Sequence, residues 1–233
     1  MKRTLFTLAA ALLVSGAPTI ASAQVAFNAG VVTDYRYRGI SQTRLKPAVQ
    51  AGIDYAAGAF YVGAWASSIK WIKDGGGDSD IEVDLYGGYK GELTKGLTYD
   101  VGGLYYLYPS NSLSPSANTF EVYGALTYGP VTAKYSMSTT NLFGVADSKR
   151  SGYFDLSGTF DVAGFAVTPH IGHQAVKNNS AASYTDYSIT ISKEVATGLV
   201  VSLAAVDTDI KVLAPNGKDL GKAGLVLGLK YNF

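Results

Sequence analysis

The sequence predicts an all-β fold, a transmembrane antiparallel up-and-down β-barrel of about 12 strands occupying residues 24–233. Three observations predict it: period-two alternation in segments of about ten residues, connections that alternate short and long, and aromatic side chains gathered at one end of the segments. Composition agrees. Of 233 residues, 47% are hydrophobic and only 16% are charged, against ~25% in soluble domains. Glycine (27) and tyrosine (17) are abundant. The absence of cysteine excludes disulfides, thiolate metal sites and cysteine nucleophiles. A net charge of +1 offers no field to hold a polyanion, which argues against nucleic acid as a partner.

The first segment is an address. Lys2 and Arg3 precede an apolar run from Leu5 to Val14, then Pro18 and the triplet Ala21-Ser22-Ala23 before Gln24. A basic start, a short apolar stretch and an A-x-A site make a secretory signal peptide (residues 1–23), with cleavage between Ala23 and Gln24. A membrane anchor needs ~20 apolar residues, more than this run supplies. No later stretch is long and apolar enough for a membrane-spanning helix. A soluble periplasmic protein, a secreted one and an outer-membrane barrel remain, and alternation decides among them.

In the first mature segment Val25, Phe27, Ala29, Val31, Thr33, Tyr35 and Tyr37 share one face, opposite Asn28, Asp34, Arg36 and Arg38. Val49, Ile53 and Tyr55 then stand opposite Gln50 and Asp54. Phe60 to Ser68 is strand-like, with poorly distinguished faces. Ile81, Val83, Leu85 and Tyr89 oppose Glu82, Asp84, Tyr86 and Lys90; Tyr99, Val101, Tyr105 and Leu107 oppose Asp100. Phe120, Val122, Leu126 and Tyr128 oppose Glu121 and Tyr123, and Val131, Ala133, Tyr135 and Met137 oppose Lys134 and Ser136. Phe154, Leu156 and Phe160 oppose Tyr153 and Asp155; Phe165, Val167 and Ile171 oppose Thr168 and His170. Tyr187, Ile189 and Ile191 oppose Asp186; Leu199, Val201 and Leu203 oppose Ser202; Leu225 to Phe233 alternate against Gly228, Lys230 and Asn232.

Long connections at 39–47, 69–79, 109–118, 141–151, 177–183 and 208–222 alternate with short ones, the outer-membrane pattern. Phe27, Tyr55, Tyr89, Tyr99, Tyr128, Phe160, Phe165, Tyr231 and Phe233 lie near the short-turn ends on the apolar face, where an interfacial girdle belongs. A soluble sandwich also alternates but has no reason to collect aromatics at one end. Lipid offers no partner to an edge strand, so such a sheet must close, apolar side outward.

Two stretches carry a resemblance. Leu225, Leu227, Leu229, Tyr231 and Phe233 resemble the C-terminal assembly signal of bacterial outer-membrane barrels. The run Thr33-Asp34-Tyr35-Arg36-Tyr37-Arg38-Gly39-Ile40-Ser41-Gln42 closely resembles the opening signature of the TorF family of porin-like proteins. The resemblance implies an outer-membrane location in a Gram-negative cell, with outer-membrane lipids and the barrel-assembly machinery as partners. It implies location and fold more firmly than a substrate.

For function, the pattern points to passive diffusion of small hydrophilic solutes through a polar lumen, with no cofactor, no metal and no catalytic residue. Twelve strands lie between a barrel filled by side chains and an open channel, so a narrow or partly plugged pore is expected. Asp34, Arg36, Arg38, Asp54, Glu82, Asp84, Asp100, Glu121, Lys134 and Asp155 are the candidate pore-lining or constriction residues. Either Asp34, Arg36 and Arg38 form a charged constriction, or the arginines pair with Asp54, Glu82 or Asp84 and brace the wall. An excess of lumenal acids, with Asp186 and Glu194 included, suggests a mildly cation-preferring interior. The rivals are a non-conducting structural or adhesive barrel and, less favoured, an outer-membrane hydrolase using His173. His170 and His173 are three apart on a strand and so point to opposite faces. Asp74 to Asp80 includes carboxylates that could hold a divalent cation, but lacks an EF-hand's spacing. The sequence leaves open whether copies of the chain associate.

Overall fold

The fold is described from a computed structural model covering residues 23–233; the rest of the expected signal segment, residues 1–22, lies outside the described residues. Ala23 is exposed and Gln24 opens the first strand. The wall consists of β1 (Gln24–Val32), β4 (Ala48–Ala57), β5 (Phe60–Ser68), β6 (Ile81–Thr94), β7 (Leu97–Leu107) and β8 (Thr119–Tyr128), followed by β9 (Val131–Ser138), β10 (Gly152–Gly158), β11 (Phe160–Val162), β12 (Phe165–Ala175), β13 (Tyr184–Ala196), β14 (Leu199–Thr208) and β15 (Gly224–Asn232). Strands β10 and β11 both pair with β12 and are one wall strand interrupted at Thr159, so the wall has the expected twelve strands.

Each wall strand pairs antiparallel with its chain neighbour, and the ends meet where β1 pairs with β15, from Asn28↔Asn232 to Val32↔Gly228. Hydrogen bonds extend the seam at both ends. Phe27 N donates to Phe233 O (2.9 Å), Phe233 N returns to Phe27 O (3.0 Å), and Thr33 N donates to Leu227 O (2.9 Å). The sheet is closed and has no free edge.

Alternation sorts the side chains as read from sequence. Val31, Ile53, Leu85, Val101, Leu126, Ile171, Ile189, Leu203 and Leu227 all face outward and are exposed. The aromatic girdle forms at the short-turn end, where Phe27 stacks on Phe233 (5.9 Å), Phe233 on Tyr231 (5.6 Å), and Tyr89 meets Phe60 (4.8 Å) and Tyr99 (6.1 Å). Strand β5 now has clear faces: Phe60 and Val62 are exposed outside, whereas Tyr61 and Ser67 are buried inside, on the same face as half-buried Trp65. Its faces looked alike because Tyr61 and Trp65 are large rings that point into the lumen.

One expectation fails. The first strand does not run through Tyr37; it ends at Val32, and the chain folds inward as a small hairpin, β2 (Arg36–Tyr37) against β3 (Ile40–Ser41). Arg38 (φ 44°) and Gly39 (φ 80°) form its two-residue turn, both in the left-handed region that tight hairpins require. Tyr35 and Tyr37, expected on the lipid face, lie inside. Alternation alone cannot reveal the change, because a hairpin keeps the same period.

Above the wall, the β5–β6 loop carries α1 (Trp71–Asp74), whose Ile72 is fully buried alongside Ile69. Together with Tyr35, Tyr106, Tyr108 and Ala117 they make an apolar cluster inside the long-loop mouth, sealed by Trp71 and Phe143. Trp71 meets Tyr108 edge-on (5.0 Å), and Phe143 meets Tyr37 (5.5 Å) and Tyr106 (5.1 Å). The inside is therefore polar below and apolar at this cap.

Leu203, paired with Leu227 near the middle of β14, tests the outward assignment. Leu203→Arg should lower folding stability in lipid vesicles by about 2–4 kcal/mol, the cost of a midplane charge facing lipid. Denaturant titration reads the difference, and a change below about 0.5 kcal/mol would mean that this face does not meet hydrocarbon.

Candidate functional site in the barrel lumen

The hairpin β2–β3 spans the lumen, and its charges are satisfied there. Asp34 receives Arg36 Nε at 2.5 Å on Oδ2, and Ser41 Oγ (2.5 Å) and Thr43 Oγ1 (3.2 Å) on Oδ1. Arg36 Nη1 also donates to the carbonyls of Gly39 (2.9 Å), Leu220 (3.0 Å) and Lys222 (3.1 Å), tying the hairpin to the β14–β15 loop. At the base, Arg44 pairs with Asp74 of α1.

The turn residue Arg38 reaches across to the far wall. Its two terminal nitrogens grip Glu121 of β8 at 3.0 and 2.7 Å, and Nη1 also donates to Gln174 Oε1 of β12 at 2.6 Å. The guanidinium lies over the rings of Tyr153 (4.1 Å) and Tyr37 (4.8 Å). Gly39 is required for this approach: a Cβ there would sit 2.3 Å from Thr208 Cγ2 and 2.8 Å from Asp186 Cβ. Tyr37 donates to Tyr106 (2.7 Å), and Tyr35 to Glu82 (2.7 Å). A buried bidentate guanidinium–carboxylate pair is both strong and geometrically demanding.

Below the hairpin the lumen is polar and half-buried. Tyr86 donates to Asp54 and Tyr61 to Asp100, each at 2.6 Å, and the Tyr61 and Tyr123 hydroxyls are bonded to each other. Lys134 Nζ sits 3.9 Å from the Tyr123 ring centre, and Lys90 Nζ 5.5 Å from that of Tyr61. His170 Nε2 contacts Asp155 at 2.6 Å, and Tyr153 donates to Asp186 at 2.9 Å. A recurrent element is a tyrosine hydroxyl on a lumenal carboxylate, which leaves each acid oriented by one fixed donor. Outside the wall, Lys73 donates to Asp80 (2.9 Å) and holds that carboxyl below the usual carboxylate range.

Each candidate residue now has a place. Asp54, Glu82, Asp84, Asp100, Glu121, Lys134 and Asp155 all face the lumen from wall strands. Asp34, Arg36 and Arg38 do not share a strand face; they belong to the inserted segment. The two arginines do brace the barrel, but through Asp34 and Glu121 rather than Asp54, Glu82 or Asp84. Glu194, counted among lumenal acids, instead accepts Gly198 N (2.8 Å) at an exposed turn. The two histidines do face opposite ways, with exposed His173 meeting Thr185 Oγ1 (3.1 Å) outside.

A family model described as "Bacterial protein of unknown function (Gcw_chp)" matches residues 17–233. The chain belongs to this family. No curated protein matches it in sequence. Among solved structures, the Gcw_chp chain is similar to KdgM porin in complex with disordered oligogalacturonate, with a TM-score of 0.57 and 6% identity over 91% of this chain and 99% of that one. It is also similar to NanC porin, with a TM-score of 0.54 and 11% identity over 90% and 99% of the two chains. At these identities the likeness is one of fold, and the fold is that of a porin barrel.

Sequence reasoning missed Gln174, Tyr106 and Tyr153 as partners of the hairpin. Parity places all three on the inward face, so their orientation was legible, but the contacts of Gln174 and Tyr153 with Arg38, and of Tyr106 with Tyr37, depend on a chain reversal that alternation does not encode. In the Gcw_chp barrel, Arg38→Ala leaves Glu121 buried without its cation, and should cost about 3–5 kcal/mol in a denaturant titration of the micelle-bound protein. Arg38→Lys should recover less than half of that, because an ammonium cannot match the fork. A loss below about 1 kcal/mol for Arg38→Ala would mean that this clamp does not hold the hairpin.

Proposed function

We propose that this chain is a porin-like channel of a Gram-negative outer membrane that passes small hydrophilic solutes, with the β2–β3 hairpin as its constriction. The observation that carries the reading is a polar lumen whose Asp54, Asp100 and Asp155 stay partly exposed below the hairpin, inside a wall whose strand middles are apolar on the outer face. Carboxylates Asp54, Asp100, Asp155 and Asp186 outnumber the lysines among them, which favours cations over anions. The Thr33–Gln42 signature supports kinship with TorF porin-like proteins, and the KdgM and NanC likeness supports a channel of this barrel type. Export through the 1–23 signal segment and insertion guided by Tyr231 and Phe233 complete the reading. Flow follows the solute gradient.

A second reading, a non-conducting barrel, is favoured by one observation: Arg38, Glu121 and Gln174 close ranks across the mouth. Planar-bilayer recording separates the two. The wild-type barrel should show small, cation-selective steps, and Arg38→Ala combined with Glu121→Gln should raise the step size several-fold. Absence of steps from both proteins would establish the closed barrel. Asp54→Asn with Asp100→Asn should move the reversal potential toward non-selectivity; an unchanged potential would remove the lower carboxylates from the selectivity mechanism.

A further inference from the structure

Three carboxylates meet beneath the hairpin. Glu82 accepts Tyr35 (2.7 Å), and Glu121 accepts Arg38 and Tyr106 (3.3 Å). Asp84 lies two residues along β6 from Glu82, on the same lumenal face. One guanidinium thus serves three acids, and it is committed to Glu121. Asp84 is nine-tenths buried, and its Oδ1 has no hydrogen-bond partner. Among the described residues no salt bridge reaches it. A buried carboxylate in this position calls for a compensating charge or proton.

The surroundings indicate which. Register sets Trp65 of β5 directly across from Asp84 on one side and Tyr106 of β7 on the other, all on the lumenal face. Tyr86 stands two residues toward the short-turn end of β6, on the same lumenal face. Aromatic faces around an acid suit an organic cation, whose N–H groups meet the carboxylate while its charge lies against the rings. A hard divalent metal would need several free oxygens, and both oxygens of Glu121 and Oε1 of Glu82 are already engaged.

We propose that Asp84, flanked by Trp65 and Tyr106, binds the ammonium group of a small organic cation arriving through the lower lumen. The proposal rests on the reading of this lumen as a solute path, but its test does not require conductance. The chain has 2 tryptophans, so Trp71→Phe leaves Trp65 as the sole reporter beside Asp84. Ethylammonium chloride titrated into this barrel in detergent, at constant ionic strength, should give a saturable change in Trp65 emission. Sodium chloride alone should give none.

Adding Asp84→Asn should weaken binding at least tenfold, and Trp65→Leu, read by calorimetry with Trp71 intact, should weaken it several-fold. Heat-dependent gel mobility reports whether each variant is folded, and the Trp65→Leu measurement decides the matter if Asp84→Asn is not. A response that does not saturate, or equal affinity with and without the carboxylate, would overturn the site and leave Asp84 holding a proton. Saturable binding without channel steps would sink the channel reading and keep the site; steps without binding would do the reverse.

Discussion

The seam between β1 and β15 is the constraint on which the rest of the structure depends. A sheet with an apolar outer face cannot leave a row of N–H and C=O groups facing lipid, since each unpaired group costs several kcal/mol. Pairing the first wall strand with the last removes both edges at once, and the Phe27–Phe233 hydrogen bonds close the seam at its girdle end. Closure then fixes the sign of every side chain. With the period at two and the exterior apolar, the carboxylates and lysines of the strand middles are turned into the lumen.

That confinement creates the second problem the molecule solves. Charges brought inside are partly withdrawn from water, and each must find a partner. The chain does this locally where it can, with tyrosines on Asp54, Asp100 and Asp186, and histidine on Asp155. Glu121 is satisfied from a distance, by Arg38 on a hairpin rooted between β1 and β4, on the other side of the barrel. The same contact fills the mouth of the barrel. Structural pairing, one of the two alternatives set out on sequence grounds, is performed by this guanidinium, and in the proposed reading the same group forms the constriction.

The porin likeness bears on fold, and the family description carries no function, so the chemistry of the lumen has to speak for itself. It speaks through asymmetry. The upper lumen is packed with an apolar cluster and a hydrogen-bonded hairpin, whereas the lower lumen keeps half-exposed acids and tyrosines. Ordered, partly exposed carboxylates are what the proposed solute path uses.

Strand number, closure, the girdle and the inward placement of Asp54, Glu82, Asp84, Asp100, Glu121, Lys134 and Asp155 were legible in the sequence, because a two-residue period in contact with lipid is a strictly local code. Strand β5 was obscure because Tyr61 and Trp65 are apolar rings with inward duties. The inward fold of residues 33–47 could not be read, since Tyr35 and Tyr37 keep the strand's alternation while serving a buried cluster. Arg38's grip on Glu121 and Gln174 joins positions 83 and 136 residues apart. Only the closed barrel, by bringing β8 and β12 within reach of one turn, decides that these residues meet.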